Sequence, residues 1–272
     1  MKKINCLEFR DTKVMELKER VSSMQKKPSL LVIKVGNDPA STKYVNNKVN
    51  RCKEIGLETK IINLDENVTE TELIDTITLN QISYDAVIVQ EPLPKHISSK
   101  KVNSYVISDK DCDGLTEYNI GRLYNQRNNV APATPQGIVN LFDFMNVDLS
   151  GKEVLVIGRS NLVGRPLSEL MLQKDATVTI AHSKTKNLEE KISSGRYDII
   201  VACVGRAKFL KNAKAEYLID VGINHDENGK MCGDFDIDTC ECQFYTSVPG
   251  GVGLLTQVTI VENIIKCFQL QY

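Results

Sequence analysis

Short apolar runs rich in β-branched residues alternate along the chain with stretches whose apolar positions recur every three or four residues. This alternation predicts an α/β protein with largely parallel sheets. In the first half, SLLVIKV (29–35) reads as a buried strand. Asp38, Pro39 and Ser41 then open an amphipathic helix that stops at Gly56. TKIINL (59–64) is the next strand, followed by a helix to about residue 80, with Thr69 as N-cap and Glu72 completing a capping box. AVIVQ (86–90) is a third strand, stopped by Glu91-Pro92-Leu93-Pro94, where proline removes ladder donors.

Residues 105–137 carry mostly loop signals, and an apolar-periodic helix is expected from Gln136 to about Met145. A second series follows: EVLVIG (153–158), TVTIAH (177–182), DIIVACVG (198–205) and YLIDVGI (217–223). It reads as a dinucleotide-binding unit. VPGGVGLLT (248–256) reads as a glycine-rich loop, and the last sixteen or so residues as a helix. The restart of the strand–helix pattern predicts two α/β domains. Residues 1–146 form the first, and residues 147–254 form a Rossmann-type second domain.

Composition narrows the function classes. Lys+Arg total 34 and Asp+Glu 35, a formal net charge of −1. A nucleic-acid or anionic-membrane footprint needs clustered excess base, so neither partner is expected. No apolar run approaches the roughly 18 residues of a membrane span, and the basic N-terminus lacks a secretory apolar core. Eight scattered cysteines suit a reduced, cytoplasmic protein. Cys240-x-Cys242, with Cys232 upstream, lacks the partner spacing of a metal site, so none is expected.

The first candidate site is a turn. After the strand at 153–157 comes GRSNLVGRP, with Gly158, Arg159, Ser160 and Gly164, and then a helical stretch. Glycines between strand and helix let backbone N–H groups and the helix dipole meet a phosphate. The G-x-G-x-x-G spacing is broken at Ser160, so the turn by itself also reads as an ordinary tight βα connection. The next strand runs into His182-Ser183-Lys184, with no acid to accept from a ribose 2′-hydroxyl. Serine, lysine and the nearby Arg159 suit a 2′-phosphate instead, which favours NADP over NAD. Lys184 and Lys186 also fit a solvated turn.

The second candidate site lies in the first half. Tyr44 and Lys48, four apart, share one helix face. A lysine can act as general acid or base, and a tyrosine can stack on a flat ring. Alone, this spacing is weak and fits an ordinary surface helix. Gln90 ends the third strand, at the sheet edge where ligands bind. Asp111 and Asp113 form an acidic loop without the later ligands of a calcium site, and a carboxylate there matches the paired donors of an amino-pyrimidine edge.

The segments VGNDPASTKYVNNK, VQEPLPKHI, DKDCDGLTEYNIGRL, PATPQGI, GRSNLVGRP, AHSKT, DVGI and VPGGVG occur in this order over nearly the whole chain. As an ordered set they strongly resemble the bifunctional methylenetetrahydrofolate dehydrogenase/methenyltetrahydrofolate cyclohydrolase family. The resemblance implies Lys48 as catalytic lysine, Tyr44 as substrate-stacking tyrosine and Gln90 as the lysine's working partner. It implies Asp111 or Asp113 at the pterin-like ring, with Val89, Pro249, Gly250 and Gly251 lining the substrate site. Gly158, Arg159, Ser160, Gly164, Ser183 and Ile223 are implied as NADP contacts. It further implies a substrate cleft between the domains, a C-terminal helix (255–272) returning to the first domain, and a homodimer formed through the cofactor domain. The activity implied is NADP-linked oxidation of 5,10-methylenetetrahydrofolate and hydrolysis of the methenyl product to 10-formyltetrahydrofolate.

The chain departs from the family pattern at Glu91, usually apolar, and at Leu254 and Leu255, which replace the usual proline and methionine after GGVG. Glu91 either favours the charged form of Lys48 or points away. Leu254 is expected to loosen the glycine-rich loop, because proline's fixed φ is lost. These departures keep open a member with one activity, and a catalytically silent folate- or nucleotide-binding regulator. A reductase of another small substrate is a further alternative.

Overall fold

The computed structural model describes residues 1–126 and 130–272, apart from the side chain of Ala40. Residues 127–129, part of the stretch read as loop, lie outside the described residues. The chain divides into two compact units, one of residues 12–133 and 257–272, the other of residues 1–11 and 134–256.

In the unit of residues 12–133, strands β2 (Ser29–Val35), β3 (Glu58–Leu64) and β4 (Ala86–Val89) form a parallel sheet in the order β3-β2-β4. Helix α2 (Pro39–Ile55) joins β2 to β3, and α3 (Glu70–Asn80) joins β3 to β4. The two crossovers run in opposite directions across the sheet. Their common right-handedness therefore places the helices on opposite faces. One face carries Leu31, Ile33, Val35, Val87 and Val89, which pack with Leu73, Ile74 and Ile77 of α3. The other face belongs to α2, whose Val45, Val49, Cys52 and Ile55 are buried.

The helix ends follow the sequence signals. Asp38 accepts from the Ser41 N–H at 2.7 Å, and Gly56 takes the left-handed conformation that ends α2. Thr69 and Glu72 form the expected capping box. Other helices arise outside the predicted elements. In α1 (Cys6–Ser22) the buried Val14, Leu17 and Val21 keep helical spacing but are diluted by charged neighbours. The short α5 (Glu117–Tyr124), capped by Thr116, lies in the segment read as loop. A one-turn-and-more helix, α4 (Ser99–Asn103), precedes it.

The unit of residues 134–256 contains a six-stranded sheet in the order β1-β11-β8-β7-β5-β6, parallel throughout. Its strands are β1 (Lys2–Lys3), β5 (Glu153–Ile157), β6 (Thr177–Ala181), β7 (Ile199–Ala202), β8 (Lys214–Asp220) and β11 (Glu241–Tyr245). Helices α7 (Gly164–Leu172) and α8 (Leu188–Ser193) connect its central strands, and β9 (Asn224–His225) with β10 (Met231–Cys232) makes a small antiparallel hairpin. The strand β11 was not among the predicted elements, because its ECQFY mixes polar and apolar positions.

Helix α6 is Ala133–Phe144, three residues earlier at its start than the pattern predicts. Its Phe142 packs edge-on against Tyr217, and Phe144 against Phe9. Those contacts hold α6 in the six-stranded unit, so the units divide at Ala133/Thr134, whereas the pattern change lies near 146. The last helix, α9 (Val252–Gln271), begins inside the stretch read as a glycine-rich loop. Leu254 sits in its first turn, its N–H donating to the Gly251 carbonyl at 2.9 Å, so it extends a helix and does not loosen a loop.

Residues 257–272 of α9 belong with residues 12–133. Asn263 is fully buried there, and its Nδ2 donates to the carbonyls of Cys112 at 2.9 Å and Ala131 at 2.8 Å. This amide satisfies two buried carbonyls of the segment that carries Asp111 and Asp113. Asn263→Ala leaves both unpaired, at a cost of about 3 kcal/mol. Urea denaturation of the full chain measures it as a lower midpoint with an unchanged slope.

Candidate functional site

The residues singled out in the first half converge on the α2 face of the three-stranded sheet. Ile33 pairs with Val89 in the parallel register, and the Gln90 N–H continues the ladder to the Ile33 carbonyl at 2.9 Å. Alternation then points the Val89 side chain to the α3 face and the Gln90 side chain to the α2 face. Lys48, half-buried on α2, donates from Nζ to Gln90 Oε1 at 3.2 Å. Gln90 Nε2 is committed to the Glu91 carbonyl at 2.6 Å, which fixes the amide with its oxygen toward the lysine. Among the described residues Lys48 Nζ has no second hydrogen-bond partner, which leaves donor capacity for a ligand.

Tyr44 lies one helical turn before Lys48, the residue 43% exposed. Partial burial raises its phenol pKa, so the ring presents a neutral face at physiological pH.

The acidic loop separates into two roles. Asp111 is buried, and its Oδ2 accepts from the Thr116 N–H at 2.8 Å and from Asn119 Nδ2 at 3.0 Å. It ties its loop to the start of α5. Asp113 accepts no hydrogen bond among the described residues. Burial raises its carboxyl pKa, the charge of Lys48 opposes the rise, and the charges of Asp111 and Glu91 add to it. Asp113, not Asp111, is therefore the carboxylate open to a ligand beside Lys48. Glu91 turns its carboxylate onto the Leu93 N–H at 3.0 Å, closing its own loop, yet its charge is still felt at Asp113. Val89 does not join this group by its side chain, which packs with Leu73 and Ile77 in the α3-side core.

The other unit carries the second group. Gly158 ends β5 at φ +134°, and a Cβ there would lie 2.5 Å from both the carbonyl oxygen and Sγ of Cys203. A Cβ on Gly164 would overlap the Gly158 carbonyl. Both positions thus require glycine, and the broken spacing still closes into a tight cradle. Helix α7 starts with no side-chain cap at Val163; the Arg165 N–H donates to the Ser160 carbonyl at 3.1 Å and Pro166 has no N–H, so among the described residues the Gly164 N–H is the first-turn donor left for an anion. Ser160 Oγ accepts from the Val163 N–H at 3.1 Å, and Arg159 is exposed beside it.

Strand β6 ends at Ala181, and the exposed Ser183 and Lys184 follow. His182 organises this turn by accepting from the Lys184 N–H on Nδ1 at 3.1 Å. Ile223 is 46% exposed in the loop after β8. Pro249 and Gly250 are exposed, with Gly250 at φ +89°, while Gly251 is buried so closely that a Cβ would overlap the Ser247 carbonyl.

Two family models match almost end to end. Residues 4–113 match the tetrahydrofolate dehydrogenase/cyclohydrolase catalytic domain, and residues 132–272 match its NAD(P)-binding domain. The chain belongs to the tetrahydrofolate dehydrogenase/cyclohydrolase family. It is 43% identical over 261 residues to the bifunctional protein FolD of Lactococcus lactis subsp. cremoris, covering 92% of this chain and 91% of that protein. Among solved structures, the bifunctional FolD enzyme of Campylobacter jejuni is 34% identical with a TM-score of 0.92, both chains covered in full. The Trypanosoma brucei methylenetetrahydrofolate dehydrogenase-cyclohydrolase, solved with NADP and an inhibitor, is 28% identical with a TM-score of 0.88, covering 98% of this chain and 97% of that one.

In this family member, two carboxylates escaped the reading of motifs. Asp220 and Asp234 are buried in the NAD(P)-binding unit. Burial pushes Asp220 up to about 6, against the pull of the N–H groups of Asp234, Phe235 and Gly222 and with a further push from the Asp234 charge. The only sequence signal was their position beside glycines, in DVGI and GDFD.

The close approach at the dinucleotide turn is testable. Gly164→Ala should weaken dinucleotide binding by about tenfold, or ~1.4 kcal/mol, in isothermal titration. Gly121→Ala, where a Cβ meets nothing within 4 Å, should leave it unchanged.

Proposed function

We propose that Lys48, held by Gln90, is the proton-transfer residue of the folate hydrolysis step in a chain that also carries the folate oxidation. The protein oxidises 5,10-methylenetetrahydrofolate to the methenyl form with NADP and hydrolyses that form to 10-formyltetrahydrofolate, two steps of one-carbon metabolism. The observation that carries the assignment of Lys48 is its 3.2 Å hydrogen bond to an oriented Gln90, next to an Asp113 that accepts no hydrogen bond among the described residues.

The Gly158–Gly164 cradle, the uncapped start of α7 and the acid-free end of β6 fit NADP. Arg159, Ser160 and Ser183 would hold it, with Ile223 against its bound face. When bound, NADP supplies the hydride acceptor. Tyr44 stacks on the pterin ring, and Asp113 accepts from its amino-pyrimidine edge.

In the hydrolytic step, addition of water to the methenyl carbon releases a proton; cleavage of that carbon's bond to N5 then takes one up at N5 while the added hydroxyl gives up its remaining proton to become the formyl carbonyl, so one proton is released overall. An ammonium/amine pair at Lys48 serves both transfers, and Gln90 keeps its Nζ aimed. We also propose a homodimer formed through the NADP-binding unit and acting in the cytoplasm. Light scattering on the purified chain should give twice the monomer mass, and the monomer mass would contradict the dimer.

Lys48→Met should lower cyclohydrolase turnover by roughly 100-fold or more while NADP affinity stays unchanged in titration. Retained turnover would remove Lys48 from the chemistry. Asp113 must be ionised to accept two donors, and its pKa is raised. Folate affinity should therefore fall on acidification with a midpoint above the ordinary aspartate value near 3.8. In a fluorescence titration, Asp113→Asn should bind weakly at every pH and lose that acid limb.

A further inference from the structure

The buried pair Asp220 and Asp234 takes no part in the chemistry above, yet it organises two loops beside the dinucleotide turn. Asp234 lies just after the β9–β10 hairpin, and its carboxylate reaches back to the loop after β7. Oδ2 accepts from the N–H groups of Val204 at 2.7 Å and Gly205 at 3.2 Å. Oδ1 accepts from the Arg206 N–H at 2.8 Å and from Asn224 Nδ2 at 2.9 Å. Three consecutive N–H groups converging on one point make an anion-binding nest. Here the chain fills that nest with its own carboxylate.

Asp220 then locks the segment that carries Asp234. Its Oδ1 accepts from the N–H groups of Gly222 at 3.0 Å and Asp234 at 2.9 Å, and its Oδ2 from that of Phe235 at 2.9 Å. The interlock is tight enough that a Cβ on Gly222 would overlap the Asp234 carboxylate, and one on Gly233 the Asp220 carboxylate.

Both loops border the proposed NADP site. The first begins at Cys203, whose carbonyl and Sγ occupy the space a Cβ on Gly158 would need. The second contains Ile223, between Gly222 and Asn224. Each of these loop contacts is a backbone or amide donor answered by Asp220 or Asp234. We propose that Asp234 is a positioning residue for NADP, holding the 204–206 and 222–224 loops in register with the Gly158 turn, with Asp220 securing it. By filling the nest after β7, Asp234 also leaves the turn before α7 as the anion cradle of the unit.

The inference rests on the NADP reading of this unit, and the enzyme's second activity separates the two. Hydrolysis of the methenyl form depends on Lys48 in the other unit and consumes no NADP, so it reports folding. An amide at 234 is isosteric but offers one acceptor oxygen, so at least one loop N–H group then faces an NH₂ group. Asp234→Asn in the full chain should raise the KM for NADP by about tenfold and lower dehydrogenase kcat, with cyclohydrolase kcat kept within about twofold. Asn224→Ala removes a single donor and should raise the NADP KM by about threefold with both kcat values kept.

An NADP KM within about twofold of the unmodified protein in both variants would overturn the proposal. If Asp234→Asn loses both activities together, Asn224→Ala decides by the same criterion. Unmodified protein that turns over neither folate would contradict the functional reading itself, independently of these variants.

Discussion

The hydrogen bond from Lys48 to Gln90 is available only because α2 covers the sheet face to which Gln90 points. A slip of one residue in the β2–β4 register would send Gln90 to the α3 side and bring Val89 to the lysine. The register is held by burial. Leu31, Ile33, Val87 and Val89 fill the α3-side core, and exposing any of them would cost about 1.5–3 kcal/mol. Apolar packing on one face thus decides the chemistry on the other. The same ladder leads directly into the Glu91 turn, whose carbonyl fixes the Gln90 amide.

The NAD(P)-binding unit solves its problem by absence of side chains. Gly158 and Gly164 let the strand, the turn and the first turn of α7 approach more closely than any Cβ allows. Buried carboxylates then satisfy the N–H groups that such tight loops leave without ladder partners. Asp198 does this on a smaller scale, accepting from the Glu153 N–H at 2.8 Å at the opposite, N-terminal end of β5. Two carboxylates in succession, Asp234 and Asp220, do so at the C-terminal ends of β7 and β8.

Much of this was legible in the sequence. Continuous apolar runs marked β2, β4, β5 and β7, and capping signals marked α2 and α3 nearly to the residue. The spacing of Tyr44 and Lys48 placed them on one helix face, and the register brought Gln90 to them. What stayed hidden depends on long-range contacts. The extension of α9 to Val252 and the division of the units before α6 come from packing partners distant in sequence. The contrast between Asp111 and Asp113 depends on which of them meets Thr116 and Asn119, and spacing does not encode it. The Asp220–Asp234 interlock joins residues fourteen apart through a hairpin of two-residue strands, too short to show a pattern.

The proposed pair of steps needs one chain to carry both dinucleotide-dependent oxidation and the proton transfer assigned above to Lys48. A single spectrophotometric time course tests this directly, with one preparation given 5,10-methylenetetrahydrofolate and NADP while methenyl absorbance is followed. NADP-dependent appearance of the methenyl band, then decay faster than its spontaneous hydrolysis, is the expected result. A flat trace, or a methenyl band that persists at the uncatalysed rate, would contradict the account.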